Sequence, residues 1–266
     1  MIITSRENSL LRQARSVRDG KVDELIFIEG LRLCEEALHS DLSLAAVIFS
    51  EEIARKERAA SVIAELSRIC DRVASVSEKL LESISYTKTP QGIVVIGQRP
   101  DTSETRLAEA MNETPLLLVM HEINNPVNVG AILRTAEAAG ATGAIATKNT
   151  ADPFSPKALR GAMGSAFRIP IWNGAPFGEA IEWCNRRELF TIGADARATV
   201  SYTDVNWDQR CALILGPESA GLSADELSAV RQTVSVPMHG RVESLNVSVA
   251  AGILLYEATR QRRRTT

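Results

Sequence analysis

The sequence predicts an α/β protein of two domains, of which the C-terminal one is built on a mostly parallel sheet. Three observations support this prediction. The chain has 266 residues, 45% hydrophobic and 24% charged, which is enough for one large core or two ordinary ones. Strand-like and helical segments alternate over the first hundred residues. After these, short continuous apolar runs are separated by helical segments, as in parallel sheets covered on both faces.

Residues 1–100 are predicted to form a compact α/β domain. Strands are predicted at ELIFIEG, AAVIFS, RVASVS and QGIVVIG, and helices at LRLCEEALHS, EEIARKERAASVIAELSRIC and EKLLESIS. The stretch QRPDTSETR that follows is polar and contains proline, which is typical of a linker. We therefore predict a linker over residues 101–112.

Residues 113–266 are predicted to form the second, larger domain. Its strands are predicted at PLLLVM, GAIAT, RIPIW, LFTIGA, CALILG and TVSVPM. Ligands of such sheets bind in loops beyond the carboxyl ends of the strands. Three of these loops carry chemically informative residues.

The first loop opens the segment HEINNPVNVGAILRTAEAAG. Asn128 is placed to cap a helix that ends at Gly140. Arg134 lies off the apolar stripe of this helix, so its guanidinium could reach back towards the loop. A solvated surface arginine paired with Glu137 or Glu122 is the alternative interpretation, and spacing alone favours it.

The second loop lies in LILGPESAGLS, where a buried strand enters a glycine-rich turn. Gly216 and Gly221 allow close backbone approach to a ligand, Glu218 is the carboxylate of the turn, and Ser223 with Glu226 predicts a capping box. An ordinary tight turn fits the spacing equally well. Neither a phosphate-binding GxxxxGK[ST] motif nor the GxGxxG fingerprint of dinucleotide-binding folds is present in the sequence.

The third loop lies in VPMHGRVESLNVSVAAGILLYEATR. An almost wholly apolar helix begins here, yet its first turn holds Ser244, Asn246 and Ser248. Capping needs only one polar residue. Three of them indicate a small polar pocket.

Composition narrows the class of protein. The net charge of −3 argues against indiscriminate coating of nucleic acid, although a basic patch lies near the N-terminus.

The four cysteines show no CxxC spacing, so we interpret them as buried thiols. The three histidines form no metal set, so we interpret His39, His121 and His239 as loop or surface residues. No apolar run is long enough to span a membrane and no signal peptide is evident, which predicts a cytoplasmic protein.

The motifs NNPVNVGAILRTAEAAG, LILGPESAGLS and VPMHGRVESLNVSVAAGILLYEA, in this order, closely resemble those of the SpoU-type RNA ribose 2'-O-methyltransferases of the SPOUT class. The segments SRENSLLRQARSVRDG, FIEGLRLCEEAL and TKTPQGIVVIG resemble a substrate-binding domain similar to ribosomal protein L30e. The resemblance implies a deep trefoil knot in the C-terminal domain, S-adenosylmethionine as methyl donor, and a homodimer with active sites at the subunit interface. It implies no metal.

The implied reaction is methylation of a ribose 2'-hydroxyl in structured RNA, with rRNA favoured over tRNA. The resemblance assigns catalytic or substrate-holding roles to Arg134, Asn128, Glu218, Ser244 and Asn246. It assigns cofactor contacts to Gly216, Val236 and Leu245, with Met238 and Ala194 as additional walls. The main alternative is a non-catalytic RNA-binding or ribosome-assembly factor that retains the knotted fold. A nicotinamide-dependent oxidoreductase is disfavoured by the missing fingerprint.

RNA backbone contacts are expected from arginines of both domains: Arg6, Arg12, Arg15, Arg18, Arg160 and Arg168. Solvated surface charges are the alternative interpretation for each. Because an arginine has a pKa above about 12, Arg134 is expected to stabilise negative charge rather than to act as a base. Two departures from the family pattern are Pro217, which lacks an N–H, and Ala162, where relatives often have serine.

Overall fold

The structure is a computed structural model that describes residues 1–263. These residues group into two compact units. Unit 1 contains residues Met1–Pro100 and Phe154–Arg168, and unit 2 contains Asp101–Pro153 and the chain from Ile169 onward. The predicted α/β class and the parallel C-terminal sheet are confirmed. Across residues 1–263, no helix combines the length and the apolar character that crossing a membrane requires.

Unit 1 is built on a five-stranded mixed sheet with the order β1-β4-β3-β5-β2. Its strands are β1 (Ile2–Ile3), β2 (Leu25–Glu29), β3 (Leu44–Ser50), β4 (Val73–Val76) and β5 (Ile93–Gln98). Its helices, numbered along the whole chain, are α1 (Ser9–Arg18), α2 (Leu31–Leu38), α3 (Glu57–Ile69), α4 (Glu78–Ile84), α7 (Pro156–Ala162) and α8 (Ser165–Arg168). The four strands predicted for this domain are all present.

Three features of unit 1 differ from the sequence prediction, the first being strand β1, which was not predicted. The long helix predicted around residues 51–70 is divided, because Lys56 is extended (φ −84°, ψ 124°) between a 3₁₀ turn at Ile53–Arg55 and α3. Helix α1 was not predicted. Asn8 caps it, since its side chain accepts a hydrogen bond from the Leu10 N–H at 2.9 Å.

The segment Phe154–Arg168 packs with unit 1, although it lies within the predicted second domain along the chain. Arg168 Nη1 donates to Glu36 Oε2 at 2.6 Å. A Cβ at Gly164 would lie 2.6 Å from the same carboxylate oxygen. The Arg99 guanidinium stacks over the Phe154 ring, 5.4 Å from its centroid. Arg160 and Arg168, expected to act from the catalytic domain, therefore belong to unit 1.

Unit 2 is built on a six-stranded sheet with the order β11-β9-β10-β6-β7-β8. Its strands are β6 (Leu116–Met120), β7 (Gly143–Thr147), β8 (Ile171–Ala175), β9 (Phe190–Ala194), β10 (Cys211–Leu215) and β11 (Gln232–Val234). Its helices are α5 (Glu104–Glu109), α6 (Pro126–Ala138), α9 (Phe177–Arg186), α10 (Ala224–Ala229) and α11 (Val247–Arg262). The six predicted strands are present, but β8 begins later than predicted, and β11 ends at Val234 instead of extending through Val236 to Met238.

Every neighbouring pair in the unit 2 sheet is parallel. The chain builds outwards from β6 through β7 to β8, and later places β10 on the other side of β6. This reversal of strand order lies between β6 and β10, which is where ligands bind in open parallel sheets. The loops after these two strands are the first and second loops singled out from the sequence.

The predicted linker contains structure of its own. Helix α5 lies within residues 101–112, and its Leu107 is buried in a core with Leu117, Val119 and Ile145. The Asn173 N–H also donates to the Thr102 carbonyl at 3.0 Å. Most of the polar stretch is therefore packed onto unit 2.

The connection from β9 to β10 is hydrogen-bonded to both ends of the segment that carries the third loop. At one end, the Ser235 N–H donates to the Val200 carbonyl at 2.9 Å. At the other, Gln261 accepts from the Trp207 N–H at 2.9 Å and donates to the Val205 carbonyl at 3.0 Å. The residues that flank segment 236–260 are therefore both hydrogen-bonded to the connection between β9 and β10. The trefoil knot implied by the resemblance leads us to expect such contacts between the end of the chain and an earlier connection.

Candidate functional site

A cavity of about 480 Å³ opens at the carboxyl edge of the unit 2 sheet. All five residues assigned to a cofactor line it: Ala194, Gly216, Val236, Met238 and Leu245. They come from the ends of β9, β10 and β11 and from the third loop. The volume is in the range of small-molecule pockets, and the buried part of the wall is apolar, with Leu215, Val234 and Leu254.

Gly216 is closely packed against the loop that follows it. A Cβ at this position would lie 2.8 Å from the Leu222 nitrogen and 2.9 Å from the Gly221 carbonyl carbon. Both are backbone atoms, so the loop from Gly216 to Leu222 closes on the end of β10 only because residue 216 has no side chain.

A chain of side-chain hydrogen bonds joins the three loops. Asn128 donates from Nδ2 to Glu218 Oε1 at 2.6 Å. Its Oδ1 accepts from Asn246 Nδ2 at 3.3 Å. Asn246 Oδ1 accepts in turn from the N–H and the hydroxyl of Ser248, at 2.9 and 2.6 Å. Asn246 thus donates to Asn128, and Asn128 donates to Glu218, which lines the cavity.

The structure corrects the role predicted for Asn128 in capping α6. The cap is Asn125, whose side chain accepts from the Val127 N–H at 3.0 Å, and Pro126 occupies the first helical position. Asn128 lies inside the first turn and is buried. Its amide is therefore available to the hydrogen-bond chain, and burial makes those bonds necessary. The end of the helix at Gly140, with φ 80°, fits the prediction.

Two assigned residues lie outside this chain. Ser244 is exposed and lines the cavity. Arg134 is exposed and makes no hydrogen bond or ion pair with any of residues 1–263. The alternative pairing with Glu137 or Glu122 is therefore not formed in the described chain, and Glu122 accepts a hydrogen bond from Asn149 Nδ2 at 3.0 Å instead.

The burial of His121 and its contacts were not predicted from the sequence. It follows β6, is 5% exposed, and packs against Phe177 with ring centroids 4.5 Å apart. Its Nδ1 lies 2.9 Å from Thr147 Oγ1 and its Nε2 lies 2.8 Å from Glu226 Oε1. His121 is thus a loop residue, as predicted, but a buried one: it ties the first loop to helix α10 behind the second.

Glu226 completes the predicted capping box, which the structure confirms. Its Oε2 accepts from the Ser223 N–H at 2.7 Å, and Ser223 Oγ accepts from the Glu226 N–H at 3.3 Å. Partial burial acts to raise the pKa of Glu226, but the Ser223 hydrogen bonds and His121 outweigh it, so the pKa is lowered. The carboxylate that fixes the end of the second loop is thus ionised at neutral pH.

The arginines assigned to RNA divide into two sets. Arg6, Arg12 and Arg160 are exposed, and their side chains make no hydrogen bond or ion pair within the described residues. The others are held by unit 1. Arg15 donates to the Arg6 carbonyl at 2.9 Å, Arg18 binds Asp19 and the carbonyls of Ser83 and Ser85, and Arg168 binds Glu36.

Unit 2 has a parallel sheet with a cavity at its carboxyl edge and polar side chains from three loops beside that cavity. These features define an α/β ligand-binding domain. Residues 115–256, more than half of the chain, match the SpoU rRNA Methylase family. The protein therefore belongs to this family. Residues 10–95 match the MRM3-like substrate binding domain.

The relatives cover most of the chain. A Burkholderia 23S rRNA (guanosine-2'-O-)-methyltransferase is 34% identical over 72% of this chain and 78% of its own length. An uncharacterized tRNA/rRNA methyltransferase of Synechocystis is 31% identical over 98% of this chain and 94% of its own. The crystal structure of an AdoMet-bound rRNA methyltransferase from Sinorhizobium meliloti is similar at a TM-score of 0.85, with 28% identity, covering 98% of this chain and 97% of that one.

We expect Gly216→Ala to destabilise unit 2 by about 1–3 kcal/mol, because a methyl group would overlap backbone atoms that cannot move independently. The measurement is the free energy of unfolding in urea. Gly178→Ala is the matched control, since a Cβ there meets no atom within 4 Å. Equal stability of the two variants would contradict the close packing at Gly216.

Proposed function

We propose that this protein transfers a methyl group from S-adenosylmethionine to a ribose 2'-hydroxyl of structured RNA, with rRNA favoured over tRNA. The observation that carries the proposal is the cavity: five separate positions assigned to a cofactor line it together, beside the Glu218–Asn128–Asn246 hydrogen-bond chain. Relatives named as 23S rRNA 2'-O-methyltransferases and a similar AdoMet-bound structure support it.

The residues of the cavity fit such a donor. The apolar wall formed by Leu215, Val234 and Leu254 suits a purine ring, and Gly216 lets backbone groups approach it. Three carboxylates, Asp195, Glu218 and Glu243, line the cavity and suit a cation. S-adenosylmethionine, when bound, supplies a methyl group on a positively charged sulfur.

Arg134 has the chemistry needed at the other reactant. A ribose hydroxyl is a weak acid, so attack on a methyl group requires stabilisation of the negative charge that develops on oxygen. A guanidinium stabilises that charge and binds phosphate, but it is a poor base because it holds its proton tightly. Arg134 is exposed and without a partner in residues 1–263, so its donors are available to RNA. Asn128 and Asn246 hold Glu218, which we infer orients the guanidinium or the substrate.

We expect Arg134→Ala to reduce methyl transfer by at least about a hundredfold while the Kd for S-adenosylmethionine stays within twofold. Arg134→Lys is also expected to be poor, because a point charge cannot make the forked contact. Binding is measured by titration calorimetry, and turnover by tritium transfer from the labelled donor to purified rRNA and tRNA. Arg186→Ala, an exposed arginine on α9, is the control.

The same assay tests the proposed function as a whole. Label in rRNA that is lost when the 2'-hydroxyl is blocked would support it, and label in tRNA alone would reverse the substrate preference. Full turnover by Arg134→Ala would remove this residue from the mechanism. Absence of donor binding by the wild-type protein would favour the non-catalytic RNA-binding or assembly factor.

We further propose a homodimer formed through α6 and α11. These helices run parallel, since Asn246 contacts Asn128 near their starts and Thr259 Oγ1 donates to the Ala139 carbonyl near their ends, at 2.8 Å. Val249 and Tyr256 lie seven residues apart on one face of α11 and are 51% and 53% exposed. Val127 on α6 is 43% exposed. Such apolar exposure on neighbouring helices supports an interface.

We expect Tyr256→Asp and Val249→Asp to yield monomers, because a carboxylate would be buried without a partner at the interface. The molar mass is measured by sedimentation equilibrium and the activity by tritium transfer. Ile69→Asp, at a position in unit 1 that is 56% exposed, is the control and should change neither. Unchanged mass in both test variants would contradict this interface.

For RNA binding we propose contacts from Arg6, Arg12 and Arg160, whose side chains are exposed and unpaired within the described residues. Arg15, Arg18 and Arg168 remain candidates, but they also hold unit 1 together, so their removal would confuse binding with folding. Phosphate contacts by Arg6, Arg12 and Arg160 would make the affinity for RNA depend on salt concentration.

The slope of log affinity against log salt concentration is negative, and we expect the triple variant Arg6→Ala, Arg12→Ala, Arg160→Ala to make it shallower by about 2 to 3, since each phosphate contact contributes roughly 0.7–0.9 to its magnitude. The slope is measured with rRNA fragments by filter binding. A control triple at Arg55, Arg68 and Arg186 removes the same charge from other exposed positions. Equal slopes for the two triple variants would contradict specific phosphate contacts by Arg6, Arg12 and Arg160, because the loss of positive charge alone would then explain the effect.

We also propose a cytoplasmic location. All four cysteines are free and buried, and burial raises the pKa of Cys184 to about 12. Unreactive free thiols are typical of proteins in a reducing compartment.

A further inference from the structure

Charge is unevenly distributed around the cavity of unit 2. Four ionisable side chains among the described residues line it: Asp195, Arg197, Glu218 and Glu243. Arg197 is the one cation among these lining residues. It follows β9, on a loop that also contributes Asp195 and Ala196 to the cavity wall.

Asp195 holds Arg197 at the cavity. Its Oδ1 accepts from the Arg197 backbone N–H at 3.0 Å and from the guanidinium Nε at 3.2 Å. The Asp195 side chain is 15% exposed, whereas that of Arg197 is 74% exposed. Within residues 1–263, the terminal Nη groups of Arg197 make no hydrogen bond. The forked end of the guanidinium is therefore available to a ligand.

The chemical groups of the proposed methyl donor indicate a role for Arg197. This inference rests on the proposed function. S-adenosylmethionine has a sulfonium, an ammonium and a carboxylate beside its adenosine. The purine suits the buried apolar wall, and the two cationic groups suit the three carboxylates. The carboxylate of the donor would be repelled by Asp195, Glu218 and Glu243. Arg197 is the cation among the described lining residues that can bind it.

We propose that Arg197 binds the carboxylate of the methionyl end of S-adenosylmethionine through its Nη groups. A guanidinium matches a carboxylate with two parallel N–H···O bonds. Because Arg197 is largely exposed, solvent screens this contact. We expect a moderate contribution, a factor of about ten in Kd.

The test compares two ligands that differ only in this group: S-adenosylmethionine and its decarboxylated analogue. Titration calorimetry gives the Kd of each for the wild-type protein, Arg197→Ala, Arg197→Lys and the control Arg186→Ala. We expect Arg197→Ala to weaken S-adenosylmethionine about tenfold and the analogue by less than twofold, with an intermediate loss for Arg197→Lys. The control should match the wild type for both ligands.

Other outcomes overturn the assignment. Equal weakening of both ligands by Arg197→Ala would show a general effect on the cavity. An unchanged Kd for S-adenosylmethionine, together with weaker binding of an rRNA fragment, would assign Arg197 to RNA instead. If neither ligand binds the wild-type protein, the proposed function fails as well, and this result is distinct from a failure confined to Arg197.

Discussion

The site of this protein depends on one constraint: all six strands of the unit 2 sheet run in the same direction. Their carboxyl ends therefore lie at one edge, and loops far apart in sequence meet there. The strand order reverses between β6 and β10, and the loops after these two strands meet there: Asn128 follows β6, and it contacts Glu218, which follows β10. The cavity itself opens on the β9 side of β10, between the loops that follow β9, β10 and β11. The sheet brings these groups together, and no local sequence preference would do so.

The pairing of α6 with α11 adds the third loop to the site. The two helices face each other at Gly252, where an added Cβ would lie 3.7 Å from Thr135 Cγ2, an ordinary van der Waals distance. Because the helices are parallel, their first turns lie side by side, and Asn246 can reach Asn128. Asn246 therefore has two functions: it caps α11 through Ser248 and orients the amide that holds Glu218. This explains a cluster of polar residues at the start of an otherwise apolar helix.

The sequence predicted those features that depend on local pattern. The strands of unit 2 are continuous apolar runs, and the Ser223–Glu226 capping box has a fixed spacing, so both could be read directly. The cap at Asn125 was missed because Asn128 is also an asparagine near the helix start, although Pro126 favours the earlier residue. The burial of His121 could not be read, since its partners Thr147 and Glu226 are 26 and 105 residues away. The same limit applies to residues 154–168, whose packing with unit 1 depends on contacts distant in sequence.

The charges around the cavity also bear on turnover, given the proposed function. Three carboxylates and one guanidinium among its described lining residues leave the cavity net negative. The methyl donor carries a net positive charge, and methyl transfer removes the charge on sulfur, so the product is neutral overall. A negative cavity therefore attracts the donor more than the product, while the apolar wall contacts both alike. At an exposed rim this difference is modest, about 1 kcal/mol for a charge pair at 4 Å in water. Arg197 reduces it, so under the inference above the contribution of this arginine is orientation: it fixes which end of the donor faces which wall, and so where the reactive methyl group lies.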